Sequence, residues 1–471
     1  MTTTLQTTPL PELRLLVVGL GRSGLSAASF LHARGAYVEL ADEHIDDSRL
    51  ITVRNALGDD IQLHREFSAS LFTRFDILVV SPGIPQSLPA LIAAKEQGVQ
   101  IIGDIDLFIR FNESRLIAVT GSNGKSTVVA WLGSVLSAAN IDATVAGNIG
   151  TPALDVLPKQ PAVVVLELSS FQLETLVHME TLSAVVLNVS EDHMDRYENF
   201  AAYAATKRLI HRDCRHIVVN AEDRETWPQD LSVNESATDS VIADDAENKV
   251  GASFSSSRDT QFQNKSSIAC FVDSHKDEPW LFAGDVAIMP THEIRLPGAH
   301  NLENALAVIA LLLPMNLPVA ALREGLAGFT GLTHRTELVD EIDGVRWYND
   351  SKGTNVDACA KAITAMQGPV VLIAGGIAKD ADFSPLRDSV SSCVKVLILI
   401  GRDAPLLARV LEDIAEIRHA QSMQDAVQIA AECTAVGDVV LLSPACASFD
   451  MFDNFEHRGQ VFCDEVGRLA A

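Results

Sequence analysis

The sequence predicts an α/β protein of three tandem domains: an N-terminal Rossmann-like unit, a central P-loop ATPase-like unit and a C-terminal Rossmann-like unit. Three observations carry this. Short apolar runs alternate with helical patterns along the chain, several runs open into glycine loops, and polar residues gather at the C-terminal ends of the runs, where open parallel sheets bind ligands. A chain of 471 residues suits about three domains of ~150 residues each. The boundaries read as 1–111, 112–332 and 333–471.

With 47% hydrophobic and 21% charged residues, the composition is that of a globular chain rather than a disordered or membrane one. A net charge of −26 argues against a nucleic-acid partner, so any anionic ligand must be attracted by individual Lys and Arg residues near the loops. Seven cysteines, an odd number without close pairing, fit reduced thiols in a cytoplasm. The start, MTTTLQTTPLPELRLLVVGLG, has no charged region followed by an apolar core and cleavage site, so it does not read as a signal peptide. Leu306 to Leu322, the most apolar stretch, is interrupted by Pro314 and Pro318 and is too short to span a bilayer.

In the first unit LRLLVVGLG, AYVELAD, FDILVVSPGI and VQIIGD behave as parallel strands buried on both faces. The first ends in Gly19, Gly21 and Gly24 of GLGRSG, and Asp42 closes the next strand 18 residues beyond Gly24, as in a dinucleotide fingerprint. The same turn can hold NAD, the pyrophosphate of a nucleotide sugar, or no ligand, serving only to pack a helix on its strand. An NAD-dependent oxidoreductase is therefore an open reading.

The second unit begins with Ile117 to Thr127, IAVTGSNGKST, a buried strand running into a glycine loop that ends in Lys-Ser-Thr. Backbone N–H groups of Gly121, Ser122, Asn123 and Gly124 would face phosphate oxygens, Lys125 would neutralise them, and Ser126, next to Thr127 at the helix start, is placed to hold Mg2+. Val119 stands where the common GxxxxGK[ST] pattern has its first glycine, so the loop is tighter than usual. The apolar helix pattern after it (Val128, Val129, Trp131, Leu132, Val135, Leu136) favours function over a chance Gly-Lys-Ser turn. Triphosphate-driven chemistry leads, with a noncatalytic nucleotide switch as a third class.

Glu167 ends AVVVLELSS and His193 follows SAVVLNVSEDHMD, which places both as candidate Mg2+ ligands. Lys207 shares a predicted helical face with Phe200, Tyr203 and Ile210. Periodicity alone favours snorkelling; a buried lysine of lowered pKa, used as a nucleophile or modified, is the sharper reading. Residues 232–274, rich in Ser, Asp, Asn and Gln, read as weakly constrained loops and short edge strands.

The third unit carries VRWYNDSKGTN, PVVLIAGGIAKDADF, VKVLILIGRD and GDVVLLSPACASFDMFDNFEHRG. Its strand-end loops hold Asp350, Ser351, Lys352, Thr354 and Asn355, then Lys379, then Ser443, Ser448 and Arg458, a set suited to a small anionic substrate. Singly, each is more often a cap or turn residue. Cys446 has no evident base partner in sequence and reads as a packed thiol.

Taken together, TGSNGKST, LELSSFQLE, NVSEDHMDRY with Lys207 downstream, PGAHNLEN, THRTE, YNDSKGTN and SPACASFDMFDNFEHRG resemble the Mur ligase family along the whole chain. NDSKGTN and the last motif are similar to its D-glutamate-adding branch. The resemblance implies that ATP phosphorylates the carboxylate of UDP-N-acetylmuramoyl-L-alanine and that the amine of D-glutamate attacks the acyl phosphate, making a peptidoglycan precursor in a bacterial cytoplasm. It implies two Mg2+ ions: Ser126 and Glu167 share one and His193 contributes to the second. In the family the lysine matching Lys207 is carbamylated and supports Mg2+, which explains a lysine on an apolar face.

By the same carry-over Asn301 and Asn304 lie near adenine, Arg335 contacts phosphate or substrate, and Asn148 of GNIG contacts the sugar substrate. Lys352, Thr354, Lys379, Ser448 and Phe455 surround D-glutamate. GLGRSG is reassigned to the UDP group, with Gly21, Arg22, Ser23, Asp42, Ser81, Pro82 and Gly83 nearby, and the oxidoreductase reading weakens. The expected form is a monomer that engages neither nucleic acid nor membrane.

Overall fold

The computed structural model describes residues 9–194, 196–228, 250–256, 267–378 and 381–469. The chain divides into two compact units, Met1–Met289 with Leu306–Leu326, and Pro290–Ala305 with Ala327–Ala471. The first unit holds two sheets and the second holds one, so the expected three α/β layers are present.

The first sheet has five parallel strands in the order Leu63–His64, Tyr37–Ala41, Arg14–Val18, Ile77–Val80, Gln100–Ile102. Period-two geometry sends Leu15 and Val17 into one apolar cluster and Leu16 and Val18 into another, so a continuous apolar run is what a strand covered on both faces requires. Burial of each such side chain contributes roughly 1.5–3 kcal/mol. Strand order reverses between Arg14–Val18 and Ile77–Val80, and the loops after these two strands, at Gly19 and Ser81, form the crevice.

The second sheet is larger: Val286–Pro290, Glu278–Ala283, Ile268–His275, Val250–Phe254, Ile217–Asn220, Ser183–Val186, Arg115–Thr120, Val163–Glu167, Ala143–Gly147. Arg115–Thr120 lies between Ser183–Val186 and Val163–Glu167, all parallel, which puts the loop at Gly121 at the point where the strand order turns. Val250–Phe254 is paired on both sides, with Ile217–Asn220 and Ile268–His275, and Ile268–His275 pairs in turn with Glu278–Ala283. These two strands are therefore interior, not at an edge as the composition suggests. Their serines mislead because they are buried with partners: Ser253 is 1% exposed, and the Ser255 hydroxyl donates to Glu222 Oε1 at 2.8 Å. Residues 229–249 and 257–266 of the polar stretch lie outside the described residues.

In the second unit a six-stranded sheet runs Glu337–Ile342, Val345–Asn349, Val439–Leu442, Val370–Gly375, Val394–Ile400, Glu416–His419, antiparallel only at its first pair. Val439–Leu442 arrives last in sequence but lies between Val345–Asn349 and Val370–Gly375. The loops at Asp350, Gly375 and Ser443 thereby share one end of the sheet.

Candidate active site

The helix Lys125–Ala138 begins at Gly124, whose φ of +81° is left-handed and favours glycine at this turn. Its apolar face is fully buried, with Val128, Val129, Trp131, Leu132, Val135 and Leu136 at 0% exposure, so the loop's position is fixed from below. From the next strand Asn188 braces the loop in both directions: Oδ1 accepts from Asn123 N at 2.8 Å and Nδ2 donates to Asn123 O at 3.2 Å. The Ser122 hydroxyl donates to Ser190 O at 2.9 Å and lies 3.1 Å from the Tyr203 hydroxyl. Lys125 Nζ donates back to Gly121 O at 2.7 Å and Ser122 O at 3.0 Å, and Lys207 Nζ donates to the same Gly121 O at 2.9 Å. Two lysine side chains converge on one carbonyl, which concentrates positive potential where an anion would be favoured.

Ser126 is buried in the first turn of that helix. Glu167, which pairs in register with Val119, is 2% exposed, and its Oε1 accepts from Asn148 Nδ2 at 2.8 Å. Glu167 Oε2 is buried with no hydrogen-bond partner among the described residues. A buried carboxylate oxygen left unpaired is costly, and a divalent cation satisfies it. His193 has a left-handed φ of +58°, with its ring 4.8 Å from that of Phe171 and its Nε2 3.6 Å from Asp192 Oδ2.

Lys207 is 2% exposed on the helix Phe200–Arg208, whose N-terminus is capped by Asn199. It does not snorkel: Nζ sits 4.6 Å from the Tyr203 ring centroid. Burial holds its amine well below the ordinary lysine range, Lys125 pushes the same way, and Asp192 opposes.

In the first sheet the polar groups of the loops close on each other. Asp42 accepts from Leu20 N at 2.7 Å and His44 N at 2.9 Å, and the Ser81 hydroxyl donates to Gly19 O at 2.6 Å. A Cβ on Gly24 would stand 1.9 Å from Gly19 O, so this glycine lets the helix Arg22–Ala33 close on its strand, while Gly21 faces open space. Arg22 bonds to Gly150 O, and the Ser23 hydroxyl serves the buried Asp104 carboxyl. Pro82 O accepts from Arg196 Nη1 at 3.0 Å, and Gly83 also faces open space.

In the second unit Asp350 is the hub. Its carboxylate accepts from the Ser443 hydroxyl at 2.7 Å and Thr336 N at 3.1 Å; Arg335 lies close enough to favour its charge, yet burial raises its pKa to about 6. Lys352 Nζ lies 3.8 Å from the Phe455 ring centroid, and Thr354 N donates to Lys352 O at 2.7 Å. Ser448 is 2% exposed, its carbonyl accepting from Met451 N and Phe452 N. Arg458 is a clamp rather than a ligand: at 1% exposure it bonds Ser351 Oγ at 3.0 Å, Ser351 O at 2.8 Å and Cys446 O at 3.1 Å. Cys446 is packed at 1% exposure, in keeping with its sequence context. Asn301 and Asn304 share a face of the helix Ala299–Leu312, Nδ2 of Asn304 donating to Asn301 Oδ1 at 3.1 Å and Nδ2 of Asn301 to Pro297 O at 2.7 Å. Lys379 lies outside the described residues.

The bracing by Asn188, the hydroxyl of Tyr203, the fork of Arg196 and the hold of Asn148 on Glu167 are not among the features the sequence motifs single out. Asn188 is discoverable, since it stands at the ligand end of SAVVLN; the others depend on contacts between distant segments.

Three family models match the chain: Mur ligase MurD-like N-terminal domain over residues 13–103, Mur ligase middle domain over 119–312, and Mur ligase glutamate ligase domain over 334–446. The UDP-N-acetylmuramoylalanine--D-glutamate ligase of Coxiella burnetii (strain Dugway 5J108-111) is 40% identical, over 96% of this chain and 98% of the relative. Those of Marinobacter nauticus and Thiobacillus denitrificans are 40% and 42% identical, each over at least 95% of this chain and 97% of the relative. Among solved structures, the UDP-N-acetylmuramate-alanine ligase of Thermotoga maritima shares the fold with a TM-score of 0.58 at 18% identity, over 97% of this chain and 100% of that one. E. coli FolC, solved with DHPP and ADP, gives 0.55 at 17%, over 77% and 91%. Nothing in these relatives supports an oxidoreductase reading of GLGRSG. The chain belongs to the Mur ligase family.

Proposed function

We propose that this protein joins D-glutamate to UDP-N-acetylmuramoyl-L-alanine at the expense of ATP, in the cytoplasm, as a step of peptidoglycan precursor synthesis. Residues 1–111 take the UDP group at Gly21, Arg22, Ser23, Asp42 and Ser81 to Gly83. Residues 112–332 take ATP, and 333–471 take D-glutamate at Lys352, Thr354, Lys379, Ser448 and Phe455. No described helix is long and apolar enough to cross a membrane.

The observation that carries the reading is the pair of lysine side chains, Lys125 and Lys207, on the Gly121 carbonyl, one strand away from the unpartnered oxygen of Glu167. A free carboxylate is a poor electrophile. Transfer of the γ-phosphoryl group to the L-alanyl carboxylate gives an acyl phosphate and ADP; attack by the glutamate amine forms the amide and releases phosphate. Lys125 and the backbone N–H groups of Gly121 to Gly124 orient the β and γ phosphates and hold the charge that develops during transfer. Ser126 and Glu167 would hold one Mg2+ and His193 would contribute to a second; bound there, the ions would supply neutralisation of phosphate charge.

Lys207 supplies its part as a carbamate. Its amine, whose basicity burial lowers, attacks CO2 from the neutral form: an N–C bond forms, one C=O electron pair moves to oxygen, and an N–H proton passes to water. The neighbouring Lys125, which disfavours an ammonium at Lys207, favours the carboxylate-like product.

Substrate labelled with 18O in the L-alanyl carboxylate tests the acyl phosphate. The account expects one label in each phosphate released; phosphate without label would overturn it.

A further inference from the structure

One side chain links the first sheet's loops to the His193 turn, and the chemistry above gives it no role. Arg196 and its partner Glu174 are largely buried, with side chains 13% and 14% exposed. The Arg196 guanidinium engages two segments, the loop Pro82 to Ile84 and the turn from Phe171 to Glu174. Nη1 donates to Pro82 O at 3.0 Å and Nη2 to Ile84 O at 3.3 Å, both in the loop whose Ser81 closes on Gly19. Nη2 also donates to Glu174 Oε2 at 2.7 Å. The guanidinium carbon stands 4.0 Å from the centroid of the Phe171 ring, whose own neighbour at 4.8 Å is the His193 imidazole. Arg196 N, finally, donates to His193 O at 2.9 Å, closing the turn in which His193 takes its left-handed φ.

Only a planar fork can bond two carbonyls and a carboxylate in its plane and still present its face to an aromatic ring. One carboxylate balances the charge, so the two carbonyl contacts add orientation. Any ligand that shifts or stiffens the loop from Ser81 to Ile84 therefore moves the guanidinium, and through Phe171 the imidazole.

Resting on the reading of the two loops given above, we infer that Arg196 is a positioning residue that couples occupancy of the nucleotide-sugar loop to the placement of His193, and thereby to Mg2+–nucleotide affinity. Because coupling between two sites is reciprocal, the effect is readable at equilibrium without turnover.

The test is calorimetric titration of the intact protein with Mg2+ and a non-hydrolysable ATP analogue, with and without saturating UDP-N-acetylmuramoyl-L-alanine. In the wild type the sugar nucleotide tightens analogue binding by roughly 5–150-fold, the usual span of such coupling. Arg196→Lys keeps the charge but loses the fork and the stack: each ligand alone binds within about two-fold of wild type while the coupling falls close to unity. Phe171→Leu, which leaves the carbonyl contacts in place, lowers the coupling in the same direction. Wild-type coupling that persists in Arg196→Lys overturns the inference, as does a wild type that binds both ligands independently. An Arg196→Lys protein whose affinity for each ligand alone falls together with its melting temperature assigns Arg196 a merely structural role and also overturns it. A wild type that binds no sugar nucleotide at all overturns the functional reading instead, and the inference with it.

Discussion

The two glycine loops of the first unit look alike in sequence and differ in what their polar groups are left to do. Around GLGRSG, Asp42 accepts two backbone N–H groups and Ser81 closes on Gly19, so the neighbouring side chains mainly hold the turn in shape. Around TGSNGKST, Lys125 and Lys207 crowd one carbonyl, and Glu167 keeps an oxygen without a partner among the described residues. A loop whose side chains satisfy each other presents a shaped surface, suited to binding; a loop on which two lysine side chains converge is prepared for ligands that bring negative charge. Glycine spacing alone does not distinguish these cases, whereas the surrounding hydrogen bonds do.

Substitutions on the charged side of this contrast have the largest effects. Lys125→Ala lowers kcat by about 10³-fold, the scale of losing one donor aimed at developing charge, without lowering the melting temperature. If its melting temperature falls by as much as that of a core substitution, the surplus charge is structural and the contrast fails.

Lys207→Ala abolishes turnover, and a small carboxylate such as acetate, supplied in solution, restores part of it. Wild-type activity depends on dissolved CO2. Burial lowers the amine's pKa, so the neutral form persists to lower pH than for an exposed lysine, and CO2 dependence sharpens as protonation competes at falling pH. Full activity in Lys207→Ala, or indifference of the wild type to CO2 removal, sinks the carbamate.

Asn148→Ala frees Glu167 Oε1 to rotate and weakens Mg2+ binding by about 10–100-fold, read as a raised Mg2+ requirement with the melting temperature retained. An unchanged Mg2+ requirement paired with a raised KM for the sugar nucleotide would return Asn148 to substrate contact alone.

The smallest effect belongs to the closed loop. Gly24→Ala forces a Cβ against Gly19 O and destabilises the first sheet by about 1–3 kcal/mol, weakening sugar-nucleotide binding while ADP affinity stays at the wild-type value. Loss of ADP affinity to the same extent would show that the two loops are not separable.

Much of the fold and of the site is legible in the amino-acid sequence. Strands covered on both faces must be apolar throughout, so the runs at LLVV, IAVT, VVVLE, VVLIAG and VVLL declare themselves, and the C-terminal ends of VVVLE and VVLL give Glu167 and Ser443 a place. Lys207 on an apolar stripe is visible, but burial, rather than periodicity, decides between snorkelling and a lowered pKa. The interior position of the strands Val250–Phe254 and Ile268–His275, expected at an edge, is hidden because Ser253 and Ser255 resemble loop residues until their partners are known. The fork of Arg196 and the bond from Asn148 to Glu167 are out of reach for a related reason: they join residues 114 and 19 positions apart, which no local pattern encodes.

The most direct measurement is phosphate release from ATP with UDP-N-acetylmuramoyl-L-alanine, comparing D-glutamate, L-glutamate and no amino acid. The account predicts release that requires D-glutamate and matches amide formation one for one. Release that L-glutamate supports equally, or that needs no amino acid, would contradict it.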